Sequence, residues 1–189
     1  IVIENTVTAI SASQGKIEIS GVTTKNTSER NIAASNSADV VLSNADLCTT
    51  VNHNIKSESS ARASLKGSTI RGATGAISGA QYSILAEDGA VELHDVTIVN
   101  SPDAAIRINR DGSSVTGSDV KIDGAIYAIS ANKGTIDITG FVTTNISSRN
   151  INVEGKSEVT ITNGDLCMTS SHNVKAAEKG LLTLNNTVI

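Results

Sequence analysis

What most constrains this chain is that it repeats itself. Residues 9–70 align without a gap onto residues 128–189, an offset of 128 − 9 = 119, with 25 identities in 62 positions. The clearest blocks are Ala9-Ile10-Ser11-Ala12 with Ala128-Ile129-Ser130-Ala131, Asp46-Leu47-Cys48 with Asp165-Leu166-Cys167, and His53-Asn54 with His172-Asn173. A unit of 119 residues is too long to be one stacking element, and a shorter period lies inside it. Its anchors are Ile10, Ile32, Ile55, Ile84, Ile106, Ile129, Ile151 and Val174, at steps of 22, 23, 29, 22, 23, 22 and 23. The first five steps make up the long repeat.

After each anchor an alternating apolar pair returns: Ile17/Ile19, Val40/Leu42, Ala63/Leu65, Val91/Leu93, Ile136/Ile138, Val159/Ile161 and Leu182/Leu184. The Ile106 unit is the weakest, with Val115 alone at that place. A third apolar spot closes each unit: Val22, Leu47, Ile70, Val96/Ile98, Val120/Ile122, Phe141, Leu166 and Val188. Alternation with period 2 in segments this short means strands. Three short strands per 22–23 residues predict an all-β fold, a right-handed parallel β-helix of about eight coils over residues 1–189. At about 4.8 Å per coil it is a rod of roughly 38 Å. A leucine-rich repeat needs an L-x-x-L-x-L register that is absent, and a left-handed β-helix needs a six-residue apolar period.

Composition agrees. The 189 residues hold no Trp, one Phe, two Tyr and one Pro, as suits a narrow interior of branched aliphatic side chains. Charged residues are 18 %, against about 25 % in ordinary domains. A net charge of −4 argues against a general nucleic-acid binder. No apolar run nears the roughly 18 residues of a membrane-spanning helix.

Corners carry their own regularities. Asn31, Asn54, Asn150 and Asn173 immediately precede anchors, where stacked amides can form a ladder. Gly15, Gly89, Gly112, Gly134 and Gly180 mark the first corner, where a positive φ is expected. Cys48 and Cys167 are equivalent positions five coils apart, about 24 Å, beyond the roughly 7 Å that a disulfide allows. Small packed thiols are the expected role.

With this coil period, its Ser/Thr/Asn/Gly-rich faces and its few aromatics and cysteines, the chain resembles the passenger domains of Gram-negative type V autotransporters. The resemblance covers the whole chain and is one of architecture and composition, without a short signature motif. It implies secretion or display on the bacterial cell surface, through a C-terminal outer-membrane barrel that this chain does not contain. It also implies an adhesin or receptor-engaging virulence role. The partner would be a host-cell surface protein, a matrix component or glycan, or another bacterial surface. Neither end reads as a cap, so the chain is expected to be a section of a longer passenger.

The rival function is a carbohydrate-active β-helix enzyme or tailspike segment, which needs clustered carboxylates. Asp46 has no acidic neighbour one coil away and Glu87-Asp88 falls in a glycine corner. We therefore expect no enzyme, catalytic residue, metal or cofactor; a structural spacer is the third possibility. Two duplicated loops hold the candidate partner-binding residues. They give Arg30, His53 and Lys56 in one half and Arg149, His172 and Lys175 in the other, as two similar clusters about 24 Å apart. The third coil, 29 residues long, carries its excess at 71–83, with Gly72, Gly75 and Gly79 making it flexible. That protrusion adds Arg71, Gln81 and Tyr82 as candidates.

Overall fold

The computed structural model describes residues 1–48, 51–72 and 81–189. Among them are fifteen strands and no helix, and every strand pair is parallel. The chain is a β-solenoid of about eight turns, and the register matches the anchor spacing. Ile10 faces Ile32, Ile32 faces Ile55, and Ile55 faces Ile84. The column continues through Ile106 and Ile129, and Ile151 faces Val174. The anchor strands are Thr8–Ala12, Arg30–Ala34, Ile55–Glu58, Ile84–Glu87, Ala104–Ile108 and Val174–Ala176, with two more turns inside Ser114–Leu166. That last strand runs 53 residues, bending round corners instead of stopping at them.

The second strands stack the alternating pairs, Ile17 on Val40 on Ala63 on Val91 on Val115. Where the Ile106 coil lacks a second apolar residue, Gly117 stands opposite Leu93, and a Cβ there would lie 3.0 Å from the Leu93 carbonyl oxygen. The same coil carries Ile108 where its neighbours carry Ala86 and Ala131. A large residue on one wall offsets a missing one on another, as a core of fixed cross-section requires. The anchors from Ile32 to Ile151 are fully buried, as is Phe141. In the first and last turns, Ile17, Ile19, Leu182 and Leu184 are only partly covered, because each has a neighbouring coil on one side alone.

The third strand corrects one expectation. Thr23 pairs with Asp46 and Leu47 with Ile70, which sets Thr24, not Val22, in the Leu47 column. This strand has two inward positions, and buried Thr24 fills one of them with its hydroxyl accepting from the Cys48 amide at 2.9 Å. Its duplicate Thr143 does the same for Cys167 at 3.1 Å. Both cysteines are half-buried and neither is in a disulfide.

A corner that the sequence reading overlooked organises the fold. Gly21, Asn44, Gly67, Asp95, Asp119, Gly140, Asn163 and Asn186 occur once per coil, between the second and third strands, all with φ between 48° and 70°. Only Gly, Asn and Asp appear there, the residues that take the left-handed region at least cost. Their amides and carboxylates lie along the axis: Asn186 Nδ2 donates to Asn163 Oδ1 at 2.7 Å, and a Cβ on Gly140 would meet Asp119 Oδ1 at 2.8 Å. At the first corner, Gly15, Gly112 and Gly134 have positive φ as expected. Gly89 and Gly180 do not; the turn is made by Asp88 at 62° and Glu178 at 58° instead. The asparagine ladder before the anchors forms where Asn31 Nδ2 donates to Asn54 Oδ1 at 2.6 Å. Asn54 and Asn150 then donate to the carbonyls of Arg71 and Cys167 at 2.7 and 2.6 Å.

Candidate binding face

Counting from the buried anchors fixes which anchor-strand residues point away from the core, of which Leu85, Ala104, Ser130 and Asn152 are nevertheless covered. Two residues before each anchor, the outward row reads Thr8, Arg30, His53, Tyr82, Ala104, Tyr127, Arg149 and His172. One residue after the anchor it reads Ser11, Ala33, Lys56, Leu85, Arg107, Ser130, Asn152 and Lys175. Seven of the nine candidate residues, Arg30, His53, Lys56, Tyr82, Arg149, His172 and Lys175, therefore share one face of the rod. They lie on one face as two groups five turns apart, as expected, with Tyr82 next to the first group.

The centre of the strip is packed. The His53 and Tyr82 rings stack with centroids 5.2 Å apart and planes 10° from parallel, and the Tyr82 amide donates to His53 Nδ1 at 3.1 Å. The Arg107 guanidinium lies 5.9 Å from the centre of the Tyr82 ring and donates to Ser130 Oγ. Two turns further, the Arg149 guanidinium lies 5.8 Å from the Tyr127 ring centre. Between the two tyrosines Ala104 is fully covered.

Electrostatics follow from this packing. Burial, then the charges of Arg30 and Lys56, push the His53 imidazole down to about 4, so it is neutral at pH 7. Burial alone would raise the Glu87 carboxyl, but hydrogen bonds from Lys56 and Asn109 and the charge of Arg110 hold it below its usual range. Glu87 is thus no solvated turn residue: Lys56 Nζ sits 3.1 Å from it, Asn109 Nδ2 3.1 Å and Arg110 3.7 Å. In the second half Lys175 bonds Glu154 at 2.8 Å, which holds that carboxyl low.

The long third coil fares differently. Arg71 is the last residue of strand Arg62–Arg71, on another face, and pairs with Asp46 at 2.9 Å. Gln81 is 2 % exposed, out of reach of a partner, and leaves the candidate set. Gly75 and Gly79 of the expected protrusion lie outside the described residues. Sequence reading missed Tyr127 and Arg107, although the count from Ile129 and Ile106 would have found both. Among the described residues there is no pocket, no grouping of three metal-ligating side chains, and no helix long and apolar enough to cross a membrane. Comparison with known protein families, with curated proteins and with solved structures finds no match.

Proposed function

We propose that this chain is a stretch of an autotransporter passenger, displayed on or released from a bacterial surface, that works as a binding rod through its anchor-strand face. One observation carries the reading: the anchor-strand face carries a cation or an aromatic ring in each of seven consecutive turns, Arg30, His53, Tyr82, Arg107, Tyr127, Arg149 and His172. Cations and aromatics are the side chains that dominate binding energy at protein surfaces, and loops or faces on a rigid scaffold present them without ordering cost. A spacer has no need of such a strip, whereas a rod engaging a host-cell or bacterial surface does.

The test is binding of the purified chain to host cells and to matrix-coated plates, alongside Tyr82→Ala/Tyr127→Ala. The reading expects saturable binding that the double variant weakens. A native chain that binds neither surface is a spacer, and the reading falls.

A further inference from the structure

The six arginines divide by what holds them. Arg62 is locked, its Nε and Nη2 donating to Glu92 at 2.7 and 2.5 Å and its Nη1 to Asp39 at 3.1 Å. Arg71 is paired to Asp46 and Arg110 approaches Glu87. The three on the anchor face are not neutralised in this way. Arg30 is 3.9 Å from Glu29, at the limit of an ion pair. Arg107 and Arg149 lie on tyrosine rings, and neither has a carboxylate at ion-pair distance among the described residues. The outward anchor-strand positions hold five cations (Arg30, Lys56, Arg107, Arg149, Lys175) and three acids (Glu58, Glu87, Glu154). These positions sum to 5 − 3 = +2 on a chain of −4, with Glu29 near Arg30 and Asp103 near Arg107 at their border.

Resting on the reading of this face as a binding surface, we propose that it takes an extended anionic polysaccharide, with carboxylates at Arg107 and Arg149 and neutral sugars against the outer edges of Tyr82 and Tyr127, whose ring faces are occupied by His53 and the guanidiniums. The order along the axis matches such a ligand. Tyr82, Arg107, Tyr127 and Arg149 come from four successive turns, so ring and cation alternate every ~4.8 Å and repeat every ~9.6 Å. A pyranose unit of an extended glycan advances by a distance close to one turn, so a polymer alternating neutral and uronate sugars keeps step with the row. The absence of a pocket among the described residues points the same way. Small ligands need enclosure, whereas a flat face gains affinity by repeating one modest contact along a long partner. Arg30 and Lys175 extend the attraction toward either end of the strip.

The probe is hyaluronan, which alternates a uronate with a neutral amino sugar, immobilised beside neutral dextran and poly-glutamate. The whole chain is expected to bind hyaluronan and not dextran, less tightly as salt rises. Arg107→Gln/Arg149→Gln is expected to lose affinity at least roughly tenfold, the worth of two charge-assisted contacts. Lys121→Gln/Lys156→Gln, which removes the same charge from exposed positions off this face, is the control and is expected to retain affinity. Melting curves establish that each variant is folded. No binding to hyaluronan, equal losses in the two double variants, or poly-glutamate bound as tightly as hyaluronan each overturn the proposal, the last in favour of an acidic protein partner. Cells that are bound equally before and after hyaluronidase treatment overturn it while leaving the binding rod standing. Hyaluronan binding without cell binding does the reverse.

Discussion

His53 and His172 are the same residue in the two copies of a duplicated loop, 119 positions apart, yet they live in different surroundings. His53 is stacked on Tyr82 and half-buried; His172 is exposed, its Nδ1 3.2 Å from the Ser171 hydroxyl. Tyr82 belongs to the coil that follows His53, whereas His172 lies in the last of the turns described, where no following coil stacks on it. In a solenoid the environment of an outward side chain is set by the next coil as much as by its own. The inward side chains differ less, because both copies feed the same aliphatic column: Ile32 and Ile151 are each fully buried.

The strongest way to break this comparison is in the core. Ile32→Ala and Ile151→Ala are each expected to cost about 2–5 kcal/mol, and nearly the same amount, read as shifts in urea midpoint. Markedly unequal losses would show that the copies differ inside as well as outside. Next in size is the pH response of His53. Folded, it takes up a proton only near pH 4; unfolded, it does so near 6.5. As pH falls below about 6.5 the unfolded chain binds a proton that the folded chain refuses, so stability drops by about 3 kcal/mol down to pH 4 and then levels. His53→Gln is expected to remove this slope in pH-dependent melts, with His172→Gln run alongside as the paired variant.

The asparagine corner gives a smaller contrast. Asn54 is buried, accepting from Asn31 and donating to the Arg71 carbonyl, so Asn54→Ala is expected to cost about 1–3 kcal/mol. Asn173 is half-buried and accepts from the Thr169 amide, and its replacement is expected to cost less in the same urea titration. The smallest effect belongs to Tyr127→Leu, which removes the ring under Arg149 but keeps apolar cover, at about 0.5–1 kcal/mol.

The coil was legible because its anchors are large, aliphatic and evenly spaced, and a column of Ile10, Ile32 and Ile55 has no other economical explanation. The third strand was harder to read. Its two inward positions are shared between apolar residues and a hydroxyl, so Val22 and Leu47 looked like one column although it is Thr24 that stands in the Leu47 column. The left-handed corner was hidden by its mixture of Gly, Asn and Asp, three residues that look like ordinary surface until their shared backbone conformation is seen. On the candidate face, duplication drew attention to the repeated residues, while the unduplicated Tyr82 and Tyr127 form its centre. What joins them is position relative to an anchor, a signal present in the sequence but not in any local motif.

Every parallel ladder described above holds one turn to the next, so the bonds point along the rod. Tension between the two tips would then load the bonds of a single terminal winding at a time instead of shearing many together. Such a molecule yields by peeling, paying out some 22 residues of slack per winding, and can rewind from the windings still in place. A tether built this way absorbs a tug from flowing liquid by lengthening before its grip on a surface is lost.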